Sequence, residues 1–155
     1  MKFDELIDLN IRAVTELTKI FLPIMIGHGE GAIMNVASTA AFCSGPKMAV
    51  YYASKAYVLN FTEALYEEVK KTNIKVSCLC PGPVDTNFNK VANCEFSIKS
   101  LTSKYVAKYA IDKMFKNKLL IIPGFKIRLL YIFGRFVPNK LKLRIAYNVQ
   151  HNKIN

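Results

Sequence analysis

Tyr51 and Lys55 lie four residues apart in Val50-Tyr51-Tyr52-Ala53-Ser54-Lys55-Ala56, a stretch that reads as helix, so their side chains share one face. A phenol titrates near pH ~10 in water. A fixed cation beside it favours the phenolate and moves the group toward the range in which it exchanges protons with a substrate. The pair is therefore a candidate acid/base device, although the same spacing on a plain surface helix reads identically by itself. Thirteen positions upstream of Tyr51, Ser38 ends the apolar run Ala32-Ile33-Met34-Asn35-Val36-Ala37-Ser38, which reads as a buried strand entering a loop. Downstream, Ile74-Lys75-Val76-Ser77-Cys78-Leu79-Cys80 alternates as a second strand. It runs into Pro81-Gly82-Pro83-Val84-Asp85-Thr86, where two prolines and a glycine stop the strand and expose backbone groups.

The order strand, Ser, helix with Tyr and Lys, strand, Pro-Gly turn resembles the short-chain dehydrogenase/reductase family. The likeness extends to Asp8-Leu9-Asn10-Ile11, similar to the family helix bearing a fourth active-site residue, and to Phe21-Leu22-Pro23-Ile24-Met25, similar to that helix's usual ending. It spans roughly residues 1–124. What it implies is an α/β fold: a partial Rossmann-like, doubly wound parallel sheet of the last three strands with flanking helices, plus C-terminal helices. Residues 1–124 would be the catalytic half of the domain and residues 125–155 a basic amphipathic helical extension.

The resemblance also implies roles. Tyr51 would be the general acid/base for a carbonyl or secondary alcohol. Lys55 would lower the tyrosine pKa and donate to the nicotinamide ribose hydroxyls of NAD or NADP. Ser38 would hydrogen-bond the substrate oxygen, and Asn10 would complete a proton relay by holding a water beside the lysine through its helix backbone. Val84 and Thr86 would fix the carboxamide end of the nicotinamide on a loop shaped by Pro81 and Gly82. The extended sugar-nucleotide epimerases share Tyr-x-x-x-Lys, but the Pro-Gly-Pro-Val-Asp-Thr segment so soon after the helix stands against them.

The Gly-rich turn and the Asn-Asn-Ala-Gly-like segment with which the family binds the adenosine half of its cofactor do not occur in this sequence. The residue that selects between NAD and NADP belongs to that half. The segment Gly27-His28-Gly29-Glu30-Gly31 follows a helix and precedes a strand, the reverse of a phosphate-cradling turn. It is expected to be a helix-to-strand connection, with Gly27 or Gly29 as the helix stop. The chain thus reads as a truncated member or a complementing piece, and a non-enzymatic fragment or interaction module is the alternative to an oxidoreductase. The strand around Ile33 to Val36 is expected to leave an open edge.

Charge divides the chain. Residues 1–98 hold nine basic and ten acidic residues, whereas residues 99–155 hold thirteen basic and only Asp112 acidic, so the whole net charge of +11 lies in the last third. There Leu119-Leu120-Ile121-Ile122-Pro123-Gly124 reads as the final strand, followed by a basic, apolar helix over 125–137. Lys126, Arg128 and Arg135 interrupt that run, so it does not make a membrane span. A solvated face, peripheral membrane contact through 125–137, and an electrostatic role toward an acyl thioester of coenzyme A or a 2'-phosphate remain open. No nucleic-acid motif is present.

Cys43, Cys78, Cys80 and Cys94 form no disulfide framework and point to a reducing compartment. The two histidines, His28 and His151, offer no zinc spacing. Without a signal peptide the expected address is the cytoplasm, with membrane association allowed by the tail. Helical spacing of Leu6, Leu9, Ala13, Leu17 and Phe21, and of Tyr57, Phe61, Leu65 and Val69, predicts two helices packed on the sheet. The resemblance makes the same helices the interface of a homo-oligomer. The segment Leu101 to Phe115, with Tyr105, Ala107, Ile111 and Phe115, is expected to form a helix on the lid side of the substrate, preceded by a loop through Phe88 and Phe96.

Overall fold

A computed structural model describes residues 3–86 and 100–154, with side chains as far as residue 148. Helix α1 (Phe3–Ile7) passes through a π-helical turn at Asp8–Arg12 into α2 (Ala13–His28). Strand β1 (Gly31–Val36), a 3₁₀ turn at Thr39–Phe42, α3 (Ala49–Glu68) and β2 (Ile74–Leu79) follow. Beyond them come β3 (Val84–Asp85), β4 (Leu101–Thr102), α4 (Ser103–Phe115), β5 (Leu120–Ile121), α5 (Phe125–Gly134) and α6 (Asn139–Ile154). Phe88, Cys94 and Phe96 lie outside the described residues, as does the side chain of His151.

The fold is α/β, with a parallel sheet in the order β1-β2-β5. Its register runs from Gly31 opposite Ile74 to Val36 opposite Leu79, and Cys78 and Leu79 face Leu120 and Ile121. Covered on both faces, β2 reads as an almost unbroken buried strand. Ile74, Val76 and Cys78 turn toward α2 and α3, where they meet Val58, Leu59, Leu65 and Val69. Leu79 turns the other way and packs with Ile121 on Val106 and Ala110 of α4. Among the described residues β1 pairs with β2 alone, which leaves its other side as a sheet edge.

Local chemistry sets the boundaries. Gly29 ends α2: it sits at φ +78° in the left-handed region open to glycine, and its N–H returns to the Ile26 carbonyl at 3.1 Å. Pro23 does not end the helix. It lies on the exposed side, where water can take the carbonyl left without a donor, and α2 continues to His28.

Sequence expectations need correction at the first helix and around the β3–β4 segment. On the first helix, Leu9, Leu17 and Phe21 are exposed, and the buried row is Leu6, Asn10 and Thr18, with Val14 and Leu22 half-buried. The wide π turn adds to the helical repeat, so residues spaced by four stay under one face. On α4, Val106 and Ala110 are buried whereas Tyr105, Ala107, Ile111 and Phe115 face solvent. Finally, Val84–Asp85 and Leu101–Thr102 are a short parallel ladder rather than loop and helix start, and the last strand is only Leu120–Ile121.

Buried polar groups on the α3 side are paired. Asn35 Nδ2 donates to Thr62 Oγ1 at 3.0 Å, and Thr62 Oγ1 donates to the Val58 carbonyl at 2.6 Å. Thr62→Val keeps the shape but leaves the Asn35 amide without its acceptor inside the fold. We expect a loss of about 1–3 kcal/mol, measured as a lower urea midpoint with unchanged m-value; an unchanged midpoint would show that Asn35 finds another partner.

Candidate active site

The π turn carries Asn10 inward. Its side chain is buried and clamped from two directions: Nδ2 donates to Ser54 Oγ at 3.0 Å, and Oδ1 accepts from Lys55 Nζ at 3.1 Å. Ser54 Oγ in turn donates to the Tyr51 carbonyl at 2.8 Å, closing the turn of α3 between the two candidate residues. Lys55 Nζ also donates to the Val36 carbonyl at 3.0 Å. That carbonyl belongs to the last residue of β1. The neighbouring Ala37 N–H goes to the Leu79 carbonyl at 2.8 Å, so alternation along the strand turns Val36 away from β2. One ammonium thus ties the π turn, α3 and the end of β1 together.

Tyr51 and Lys55 occupy one side of α3, with Nζ 6.0 Å from the Tyr51 ring centre. Tyr51 meets Tyr52 edge-on at 5.9 Å, and Tyr52 lies flat against Gly45. A Cβ at residue 45 would stand 2.2 Å from the Tyr52 ring, so this position requires glycine for the loop to enter α3 as it does. Lys47, at φ +67°, bends the same loop.

Ser38 caps the 3₁₀ turn, its Oγ accepting from Ala40 N at 3.1 Å. That bond uses a lone pair and leaves the hydroxyl proton available for donation. The Thr39 N–H reaches the Pro81 carbonyl at 3.0 Å, which fastens the Ser38 loop to the Pro-Gly turn. Gly82 has Ile127 of α5 against it, with only 3.0 Å between an added Cβ and Ile127 Cδ1. The Leu101 N–H takes the Pro83 carbonyl at 3.0 Å and starts the β3–β4 ladder, so Val84 stands on that ladder and Thr86 follows it.

The outer wall is aromatic and basic. Phe42 packs on Tyr131 of α5 at 4.3 Å between ring centres, and Arg128 of the same helix bonds the Tyr109 hydroxyl. Helix α6 closes over the turn, and a cleft of about 370 Å³ remains between Phe42, Cys43, Ala56, Lys142 and Leu143.

The structure therefore brings Asn10, Tyr51 and Lys55 into one bonded cluster and places Ser38 and Pro81 on two loops joined to each other. Asn10 touches Lys55 directly with its side chain, whereas the resemblance implies a water held through its helix backbone. Two participants were not picked out in the sequence. Ser54 carried a usable signal, a small hydroxyl three residues from Tyr51 on the inward face. The Val36 carbonyl carried none, since a backbone group has no sequence signature.

Two thiols underlie this region. Cys78 and Cys80 are buried with sulfurs 3.7 Å apart, and the hydrogen bond with Cys78, together with burial, pushes the Cys80 thiol up, holding it protonated. Burial acts on Lys55 in the opposite sense and pulls its pKa below the ordinary lysine value. The folded chain then binds fewer protons here than the unfolded chain between the lowered value and ~10.4, so this group's contribution to stability rises with pH across that window. In a chain labelled at lysine Cε, the signal lost in Lys55→Met should titrate at lower pH than the other lysines. A midpoint coincident with theirs would show that the two acceptors offset burial completely.

A sequence model described as short chain dehydrogenase matches residues 1–95. Dehydrogenase/reductase SDR family member 4 of Bos taurus is 37% identical over 89 residues, which cover 57% of this chain and 32% of that protein. Estradiol 17-beta-dehydrogenase 11 of Mus musculus is 29% identical over 142 residues, 90% of this chain and 47% of that one. A short-chain dehydrogenase from Sphingobium yanoikuyae, solved in complex with NADPH, superposes with a TM-score of 0.75 at 26% identity, covering 86% of this chain and 54% of its own. The chain spans from about a third to about half the length of these proteins. With the family model matched over more than half of its residues and the parallel sheet shared with its structural neighbours, the chain belongs to the short-chain dehydrogenase/reductase family of oxidoreductases.

Proposed function

We propose that the chain is the catalytic half of an oxidoreductase that moves hydride between NAD(P)(H) and a carbonyl or secondary alcohol. The observation that carries this reading is the Lys55 ammonium held by Asn10 Oδ1 and the Val36 carbonyl one helical turn from Tyr51. Two of the three ammonium protons are committed to those acceptors, which leaves one direction for a ribose hydroxyl. The residues fit the nicotinamide end of the cofactor. Among the described residues no strand, Gly-rich turn and helix follow one another to hold a pyrophosphate.

The nicotinamide supplies the hydride donor or acceptor when it is bound. Tyr51 transfers the proton: it gives it to the substrate oxygen in reduction and takes it in oxidation. The ammonium 6.0 Å from its ring stabilises negative charge on the phenol oxygen. Ser38 donates its hydroxyl proton to the same substrate oxygen and stabilises charge developing there. Asn10 and Ser54 are positioning residues that fix Lys55 and the Tyr51 backbone. Val84 and Thr86, set by the β3–β4 ladder, orient the carboxamide.

A lipid-like or oxoacyl substrate is supported by the apolar wall of Phe42, Ile127 and Tyr131 beside the two loops, and by a relative whose name gives estradiol. Helices α2 and α3, with Leu17, Ile20, Phe21 and Ile24 exposed on the former, suit assembly into a homo-oligomer. A module that keeps this geometry without binding cofactor is the second reading.

Fluorescence titration with NADH and NADPH separates the two, followed by a panel of ketones. The enzyme reading expects binding of one of them and turnover. Tyr51→Phe should lower kcat by about 10²–10⁴-fold with cofactor affinity retained, whereas Lys55→Met should weaken cofactor binding as well. Failure of both cofactors to bind at millimolar concentration would sink the oxidoreductase reading.

A further inference from the structure

We infer that the outward faces of α5 and α6 form a docking surface for an anionic phospholipid membrane. Helix α5 is two-sided. Ile127 and Tyr131 pack inward on the core, whereas Phe125, Leu129 and Phe133 form an outward stripe at spacing four, flanked by exposed Leu130 and Ile132 and followed beyond the helix end by Phe136, the last 83% exposed. When positions advance by about 100° per residue, Lys126 falls between Phe133 and exposed Leu130 and Arg128 borders the stripe on the other side, with Arg135 at the helix C-terminus. Helix α6 repeats the arrangement: Leu141 and Ile145 are exposed at spacing four beside exposed Lys140 and Arg144.

Charge selects the occupant. After Asp112 the sequence contains no acidic residue, so ten basic residues from Lys113 to Lys153 have no local countercharge beyond that aspartate. Asp112 pairs with Lys113 and Lys116, and the pairs Asp8–Arg12, Glu16–Lys19 and Glu67–Lys70 lie outside the tail. An apolar stripe rimmed by lysine and arginine matches an interface in which acyl chains lie below anionic headgroups. A second copy of the same face would set basic residues against basic residues. A nucleic acid would meet aliphatic side chains where it needs a charged groove. The surface lies on the membrane rather than in it: α5 has ten residues, too short for a span, and among the described residues no helix is long and apolar enough to cross a bilayer.

The test is vesicle flotation of the full chain, with phosphatidylcholine alone and with about one-third phosphatidylserine added, at roughly physiological salt. The chain should float with the anionic vesicles and stay behind with the neutral ones. Because the sequence has no tryptophan, Phe133→Trp places a single reporter on the stripe, and its emission should shift to the blue only with anionic vesicles. The variant Lys126→Gln/Arg135→Gln/Lys140→Gln/Arg144→Gln and the variant Leu129→Ser/Phe133→Ser change exposed positions alone. Each should lose at least about tenfold in partitioning with an unchanged far-ultraviolet circular dichroism spectrum. No flotation with anionic vesicles, equal flotation with neutral ones, variants that bind like the parent, or competition by duplex DNA or a soluble acidic polypeptide that strips the chain from vesicles would overturn the assignment.

Discussion

A lysine ammonium taken partly out of water must be given acceptors, and the geometry of this chain follows from how Lys55 receives them. Desolvation alone would favour the neutral amine. The Asn10 amide oxygen and the Val36 carbonyl replace water, and they come from separate elements. Asn10 reaches in from the π turn at Asp8–Arg12. Val36 can reach only because its carbonyl points off the ladder at the end of β1. Ser54 closes the circuit by holding Asn10 on one side and the Tyr51 carbonyl on the other. The buried polar cluster is thus satisfied as a unit, and loss of one member exposes its partners to an unpaired low-dielectric environment.

The second constraint is the junction of two loops. Backbone bonds from Thr39 to Pro81 and from Leu101 to Pro83 bind the Ser38 turn, the Pro-Gly turn and the β3–β4 ladder into one strip along the ends of the strands. Side chains there can vary without loss of these bonds, whereas Gly45 and Gly82 cannot gain a Cβ without moving Tyr52 or Ile127. The ends of parallel strands are where α/β sheets place ligands, and here that rim is made rigid by main-chain contacts.

Much of this was legible because the residues concerned are chemically distinctive. Tyr51, Lys55, Ser38 and the Pro-Gly-Pro segment announce themselves by type and spacing, and the strands around them by alternation. Illegible were features set by backbone geometry or tertiary choice. A π turn has no composition of its own, so the apolar row of Leu9, Leu17 and Phe21 looked like the inward face when Asn10 and Thr18 hold that place. On α4, with apolar residues on several sides, the sequence does not declare that the sheet covers Val106 and Ala110. The β3–β4 pairing lay beyond sequence because two residues per strand give no periodicity.

Helix α5 touches both site loops on its inner side and solvent on its outer side. Its inward residues Ile127 and Tyr131 press on Gly82 and Phe42, the outer members of the two site loops. Yet none of its residues is fully buried, whereas α3 buries Ser54, Val58, Leu59, Thr62 and Leu65. Opening free energy follows buried contact, so α5 belongs to the low-stability end of the fold. A surface that takes up its outward stripe binds the docked state in preference to the open one and stabilises it by mass action. The same contact then holds Ile127 and Tyr131 against a rim that its main-chain bonds already fix.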